Sequence, residues 1–383
     1  MHVAARRSLR SAIAFAPLLI GLLIPAAAAT RTPPAGFPDI GSVVSGPRGR
    51  NLYAVTPLVS DGSIAAPFTD VNLVNPWGLA RGVSGPFWVS DNGADTATLY
   101  DGDGVANPLV VSLPQGAAPT GVTFNGGGGF ILHDGASSGP ARFLFAAENG
   151  RIFGWNPGVP PPSPSHQVIQ VHDASPEGAI YKGIAVASTA AGDRLYVTDF
   201  HNGAVEVLDA AFQHVDLGRD AFIDVHIPDG FAPFGIQNIQ GRILVTYAKQ
   251  DDEREDDVAG QGLGFLDAFD VDGRFLARLV TRGPLSSPFG MTMAPQGFGR
   301  FGGDLLVGNF GGGTINAFHL SDDLRRASFD GTLTGGDHRP IVVPGLWSLV
   351  FGNNQGAGSS DTLFFTSGPG DEAHGLFGKI EAR

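Results

Sequence analysis

Five glycines, Gly78, Gly121, Gly183, Gly235 and Gly290, and Ser348 after them, sit at the heads of near-copies of one phrase. "NPWGLARGVSGPFWVSDNGADTATLYD" (75–101) has counterparts in "APTGVTFN" with "RFLFAAENGRIFGWNP" (118–125 and 142–157) and in "YKGIAVASTAAGDRLYVTDFHNGAVEVLD" (181–209). Further copies are "APFGIQNIQGRILVTYAKQ" (232–250), "SPFGMTMAPQGFGRFGGDLLVGNFGGGTINAFHL" (287–320) and the looser "GLWSLVFGNNQGAGSSDTLFFTSGPGDEAHGLFGKI" (345–380). Each runs through a residue pair and glycine, an alternating apolar strand, a glycine-rich turn, a second strand, a turn and a third strand. The gaps between markers are 43, 62, 52, 55 and 58 residues. One such unit cannot bury both faces of its own sheet, so the copies must pack on one another. Three strands plus a connecting fourth make a propeller blade, and the fold class expected is all-β, a six-bladed β-propeller.

Less regular segments at 108–114, 165–173, 221–228, 274–283 and 338–345 are the expected fourth strands. None follows the sixth copy, and "NLYAVTPLVSDG" (51–62) supplies a strand of the right type before the first. Pairing the two chain ends would close the ring and leave no open sheet edge. The 56 Gly and 28 Pro suit many short strands.

Residues 1–29 place Arg6, Arg7 and Arg10 before an apolar run at 12–25 and a small-residue stretch at 26–29. This is the pattern of a secretory signal peptide, followed by a Pro- and Gly-rich lead at 30–50 and the propeller at 51–383. The run, interrupted by Pro17 and Gly21, falls short of the ~20 apolar residues that span a bilayer, so no stable membrane span is expected. Removing three arginines and no acidic residue moves the formal charge from −13 to −16, which argues against a nucleic-acid partner. With no cysteine, disulfides, thiolate catalysis and Cys-ligated metals are excluded. The expectation is a secreted or periplasmic monomer held by its core alone.

"NPWGLA…FWVSDN" and "LYVTDFHNGAVEVLD" resemble the NHL-type six-bladed propellers. With "AENGRIFGWNP", "FAPFGIQNI", "GNFGGGTIN" and "GLWSLVFG", the whole mature chain is similar to a family of uncharacterised bacterial secreted propellers. That resemblance implies that the marker positions and the turns after each second strand share one face, around the mouth of the central channel.

On that topology two rings form. Asp91, Glu148, Asp199 and Asn309 stand in the turns, with His201 beside them. Asp-Asn-Gly and Glu-Asn-Gly are ordinary hairpin turns, so these residues gain functional weight only by converging. Carboxylates facing one mouth would be relieved by Ca²⁺ or a cationic ligand, and oxygen donors without cysteine favour a hard cation. The second ring holds the residues before the markers: Trp77, Thr120, Lys182, Phe234, Phe289 and Trp347. Its aromatics either plug the channel or form a stacking platform, and Lys182 among them suggests a cation on a ring face or an anionic ligand.

The turn aspartates are also similar to those of the calcium lactonases of the gluconolactonase group. Those enzymes put a metal-binding Asn before the marker glycine, and this chain does not. Three readings follow: a propeller binding a small molecule, sugar or peptide at its mouth, with or without Ca²⁺; a calcium-dependent hydrolase, lactonase or lyase using Glu148, Asp199 or His201 as acid or base; and a protein-interaction platform with an occluded channel. An acidic insertion, "KQDDEREDDVAGQG" (249–262), overhangs the same face and reads as a solvated loop.

Overall fold

Alternating apolar residues between glycine-rich turns pair as antiparallel strands, and the computed structural model, which describes residues 49–383, arranges them as a six-bladed β-propeller. The expected signal peptide and nearly all of the lead lie outside the described residues. The inner strands of blades 1 to 6 are Pro76–Arg81, Pro119–Phe124, Tyr181–Thr189, Phe231–Ile239, Pro288–Met293 and Leu346–Phe351, each beside the next around the ring. The second strands are Phe87–Asp91, Phe143–Ala147, Gly192–Asp199, Arg242–Lys249, Leu305–Asn309 and Leu363–Ser367.

One device recurs in all six blades. The pairing of inner and second strands skips two residues, so that Trp77–Gly78 lie opposite Ser90 alone, Lys182–Gly183 opposite Thr198, and Trp347–Ser348 opposite Thr366. Blades 2, 4 and 5 carry the same bulge at Thr120–Gly121, Phe234–Gly235 and Phe289–Gly290. A bulge of two residues against one bends the strand and re-aims the side chain on it. The second bulge residue then meets the neighbouring blade. A Cβ on Gly78 would come 2.4 Å from the Thr120 carbonyl oxygen, on Gly235 2.2 Å from that of Phe289, and on Gly290 2.5 Å from that of Trp347.

Hydroxyls on the second strand stitch the same junctions. Thr198 Oγ1 accepts from the Gly183 N–H at 2.7 Å and donates to the Phe234 carbonyl at 2.7 Å. At the ring's closure Thr366 Oγ1 accepts from Ser348 N–H at 3.2 Å and donates to the Trp77 carbonyl at 2.9 Å. Apolar layers between blades complete the packing. Trp88 of blade 1 stacks on Phe143 of blade 2 at 4.3 Å and touches Trp155 at 4.4 Å. Each fully buried ring of this kind contributes about 2–3 kcal/mol of burial.

The ring closes as expected. Tyr53–Ser60 is the fourth strand of blade 6, antiparallel to Leu376–Ala382 from Tyr53 opposite Ala382 to Ser60 opposite Leu376, and the two-residue strand Phe68–Thr69 pairs in parallel outside it. Fourth strands form at Val111–Ser112, Ile169–Asp173 and Phe275–Thr281. Two expectations fail. Residues 221–228 are not a strand of blade 3, because the Asp224 carboxylate binds Arg278 of blade 4 and the Phe222 N–H bonds to Gly273, drawing the segment onto that blade. In blade 5 the outer strand is Ala327–Thr332, not 338–345, since it continues directly from the third strand through a short turn. A hairpin inserted in blade 2, Ile131–Asp134 with Ser137–Pro140, was not foreseen.

The bulge glycines therefore set the spacing of the blades. Replacing Gly235 with Ala is expected to lower stability by about 3 kcal/mol, as overpacking against backbone does. Gly128, with nothing within 4 Å of an added Cβ, is the control and should change by less than ~0.5 kcal/mol when made Ala. Equilibrium denaturation of both variants checks the difference.

Candidate functional site

Because each bulge turns its first residue toward the axis, Trp77, Phe234, Phe289 and Trp347 meet in one buried cluster with Phe200, Ala232 and Ala248. Trp77 and Trp347 stack with centroids 3.5 Å apart, Phe310 stacks on the far side of Trp347 at 3.9 Å, and Phe289 meets Trp77 edge-on at 5.6 Å. Trp77 is 2 % exposed and Trp347 0 %. The aromatics thus form the floor of the mouth rather than an open platform. Below Phe289 the channel continues as a cavity of 60 Å³ lined by the bulge glycines Gly121, Gly183, Gly235 and Gly290, against roughly 300 Å³ or more for small-molecule sites.

A polar layer covers this floor. The Lys182 ammonium lies 4.8 Å from the Trp77 ring centroid and 5.8 Å from that of Phe200. It donates to Glu148 Oε1 at 2.5 Å and to Asp256 Oδ1 at 3.3 Å. Glu148 Oε2 accepts from Asn92 Nδ2 at 3.0 Å, and Asn92 Oδ1 accepts from Asn75 Nδ2 at 3.2 Å. Asn75 Nδ2 also donates to Glu372 Oε2 at 2.6 Å, while Asn75 Oδ1 accepts from Trp347 Nε1 at 3.0 Å. One network therefore links blades 6, 1, 2, 3 and 4. The Trp77 Nε1 donor at its base has no protein partner.

The electrostatics follow from crowding. Burial alone would push the Lys182 ammonium down, but the charges and hydrogen bonds of Glu148 and Asp256 outweigh it, and its pKa is raised. Burial pushes Glu372 up; the Asn75 hydrogen bond opposes this, and repulsion from Glu148 and Asp256 adds to it. Burial also pushes Asp257 up to about 6, with the Ser287 hydroxyl and the Lys182 charge pulling the other way. One resident cation thus stands among four carboxyl groups.

The turn residues divide. Glu148 belongs to this network; Asp91, Asp199 and Asn309 are engaged elsewhere. Asp91 is fully buried inside blade 1, where Thr96 and Thr98 donate to it at 3.1 and 3.2 Å, and burial raises its pKa well above the usual carboxylate range. Asp199 Oδ1 accepts from the N–H groups of Ile180 and Asn202 at 3.2 and 3.1 Å, and Oδ2 from Asn202 Nδ2 at 2.7 Å. Asn309 braces its turn through Ser286 N–H, the Pro284 carbonyl and Thr314. His201 Nδ1 is buried without a partner, next to the turn that Asp199 holds. Sequence reasoning missed Asn75, Glu372 and the role of Asp256. The acidic insertion is a folded hairpin, with Asp251 N–H bonding to the Asp256 carbonyl and Val258 N–H to that of Lys249, which carries Asp256 back over Lys182. Among the described residues no group of three or more His, Asp or Glu is arranged to hold a metal ion.

Breaking the two Lys182 pairs should have unequal effects. Glu148→Gln leaves a buried ammonium largely uncompensated and is expected to cost about 3 kcal/mol, whereas Asp256, whose side chain is 73 % exposed, should cost under ~1 kcal/mol as Asn. Chemical denaturation at pH 7 reads both.

No family model matches the chain. The soluble aldose sugar dehydrogenase of Escherichia coli, in its apo form, is similar in fold: TM-score 0.51, 13 % identity, covering 86 % of this chain and all of that one. Virginiamycin B lyase from Staphylococcus aureus aligns over 86 % of this chain and 99 % of its own at a TM-score of 0.45 and 12 % identity. Among the described residues no helix is long and apolar enough to cross a membrane. Two uncharacterised proteins of Acanthamoeba polyphaga mimivirus are similar in sequence: R648, 31 % identical over 87 % of this chain and 81 % of its own length, and L690, 30 % identical over 78 % of each. These relatives are viral and lend no support to the bacterial affiliation expected from the motifs. The chain belongs to the family of the mimivirus proteins R648 and L690.

Proposed function

We propose that this propeller is an exported binding protein whose mouth recognises a small cationic group. The observation that carries the reading is the surplus of carboxylates around one ammonium: Lys182 offsets part of the charge of Glu148, Asp256, Asp257 and Glu372, and Glu372 is raised by burial and by its like-charged neighbours. A second cation beside Glu372 would relieve that repulsion. An organic cation suits the site better than Ca²⁺, because the position between Glu148 and Asp256 is taken by the Lys182 ammonium. Hydrolytic chemistry has less support, because Asp199 spends both oxygens on its own turn.

Calorimetric titration with N-acetyl-lysine amide tests this. Binding is expected at neutral pH and should weaken about tenfold in Glu372→Gln, the loss of one ~1.4 kcal/mol charge interaction. Lowering the pH from 7 to 5 protonates Asp257, whose pKa is pushed up to about 6, and removes that negative charge from the mouth, so affinity falls with pH. The reading fails if N-acetyl-glutamate amide binds as well, if CaCl₂ alone binds and stabilises the protein, or if affinity is flat across that pH range.

A further inference from the structure

We propose that the cleft between blades 4 and 5 receives the main chain of an extended peptide whose basic side chain enters the mouth, a proposal that rests on the cation-recognising reading above. The cleft has a volume of 380 Å³, and Gly260, Gln261, Ser286, Gly311, Thr314 and Asn316 are among the residues that line it. No lining residue is charged or aromatic. Its walls are preformed. Asn316 Nδ2 donates to the Pro284 carbonyl at 2.9 Å, Thr332 Oγ1 to Asn316 Oδ1 at 2.8 Å, and the Gly260 N–H to Ser286 Oγ at 3.1 Å. Gly311 lets the walls approach, since a Cβ there would lie 2.7 Å from both Ala259 Cβ and Ser286 Oγ.

The cleft and the mouth are built partly from the same chain segments. Asp256 and Asp257 lead directly into the wall at Ala259, and Gly311 follows Phe310, which stacks on Trp347 of the mouth floor. In this proposal one end of a ligand in the cleft reaches those carboxylates along the Asp256–Ala259 segment. Its chemistry follows from the lining. Sugars are gripped by aromatic faces, which the cleft lacks. Glycine backbone with neutral amide and hydroxyl groups instead matches the amides of a peptide main chain, and orientation comes from a few such polar groups. The acidic end selects a lysine or arginine side chain by charge complementarity.

Fluorescence anisotropy with labelled Gly-Gly-Lys-Gly-Gly, compared with the calorimetric affinity of N-acetyl-lysine amide, separates the two ideas. The peptide is expected to bind at least tenfold tighter than the amide. Gly312 is exposed, has no positive φ, and an added Cβ would meet nothing closer than 3.9 Å. Gly312→Phe should therefore fill the cleft without disturbing the fold, erasing the peptide's advantage while leaving the amide's affinity and the melting temperature unchanged. Gln261→Trp, on the exposed opposite wall, provides a second block. Equal affinity of peptide and amide, or no effect of either block, overturns the cleft assignment and leaves the mouth reading intact. Equal binding of Gly-Gly-Gln-Gly-Gly, still sensitive to Gly312→Phe, overturns the mouth reading and keeps the cleft. Binding of a neutral oligosaccharide in place of any peptide, or of nothing, overturns the proposal.

Discussion

Everything at the centre of this molecule depends on a two-residue bulge made six times. The first bulge residue is turned to the axis, and the second brings its blade against the carbonyl of the first bulge residue of the next. At Gly78, Gly121, Gly183, Gly235 and Gly290 an added Cβ would fall 2.2 to 2.9 Å from that carbonyl oxygen. The marker glycines are therefore the contact surface between blades, not flexible joints. The same geometry delivers Trp77, Lys182, Phe234, Phe289 and Trp347 to one place, and the chemistry of the mouth follows from what those positions carry.

A layered site results. Stacked aromatics close the channel, an ammonium rests on the Trp77 face, and carboxylates from blades 2, 4 and 6 stand around it. A buried ammonium is tolerable only with close counter-charges, so Glu148 belongs to the structure as well as to the site. The remaining carboxylates exceed what one lysine neutralises, and that excess is what a ligand would meet. The cleft between blades 4 and 5 is lined by uncharged residues.

Much of this was legible in the chain, and the failures have a common cause. The repeat grammar located the blades, the ring closure and the residues that gather at the axis, because these depend on positions within the repeat. Asp91, Asp199 and Asn309 share a repeat position too, but it lies at the end of the second strand, where the side chain turns inward to brace its own blade. Thr198 and Thr366, in the neighbouring position, carry the stitch between blades. Asp256 and Glu372 lie in connections whose path no periodicity describes, and Asn75 heads its repeat where other copies carry Ala118, Ser287 or Gly345, so its amide is not part of the repeat grammar. The diverted segment 221–228 has the same origin, since the Asp224–Arg278 ion pair and the Phe222 N–H bond to Gly273 hold it on blade 4.

The central claim is that Lys182 is a sealed, permanently charged ammonium in a mouth still short of positive charge. The chain has three lysines, Lys182, Lys249 and Lys379, so ¹⁵N-lysine labelling makes the Lys182 Nζ resonance directly observable. The account predicts a protonated, slowly exchanging ammonium signal for Lys182 that persists into alkaline solution and shifts when N-acetyl-lysine amide is added. An Nζ group that exchanges with water as fast as exposed Lys249, or that ignores the added cation at saturation, would contradict it.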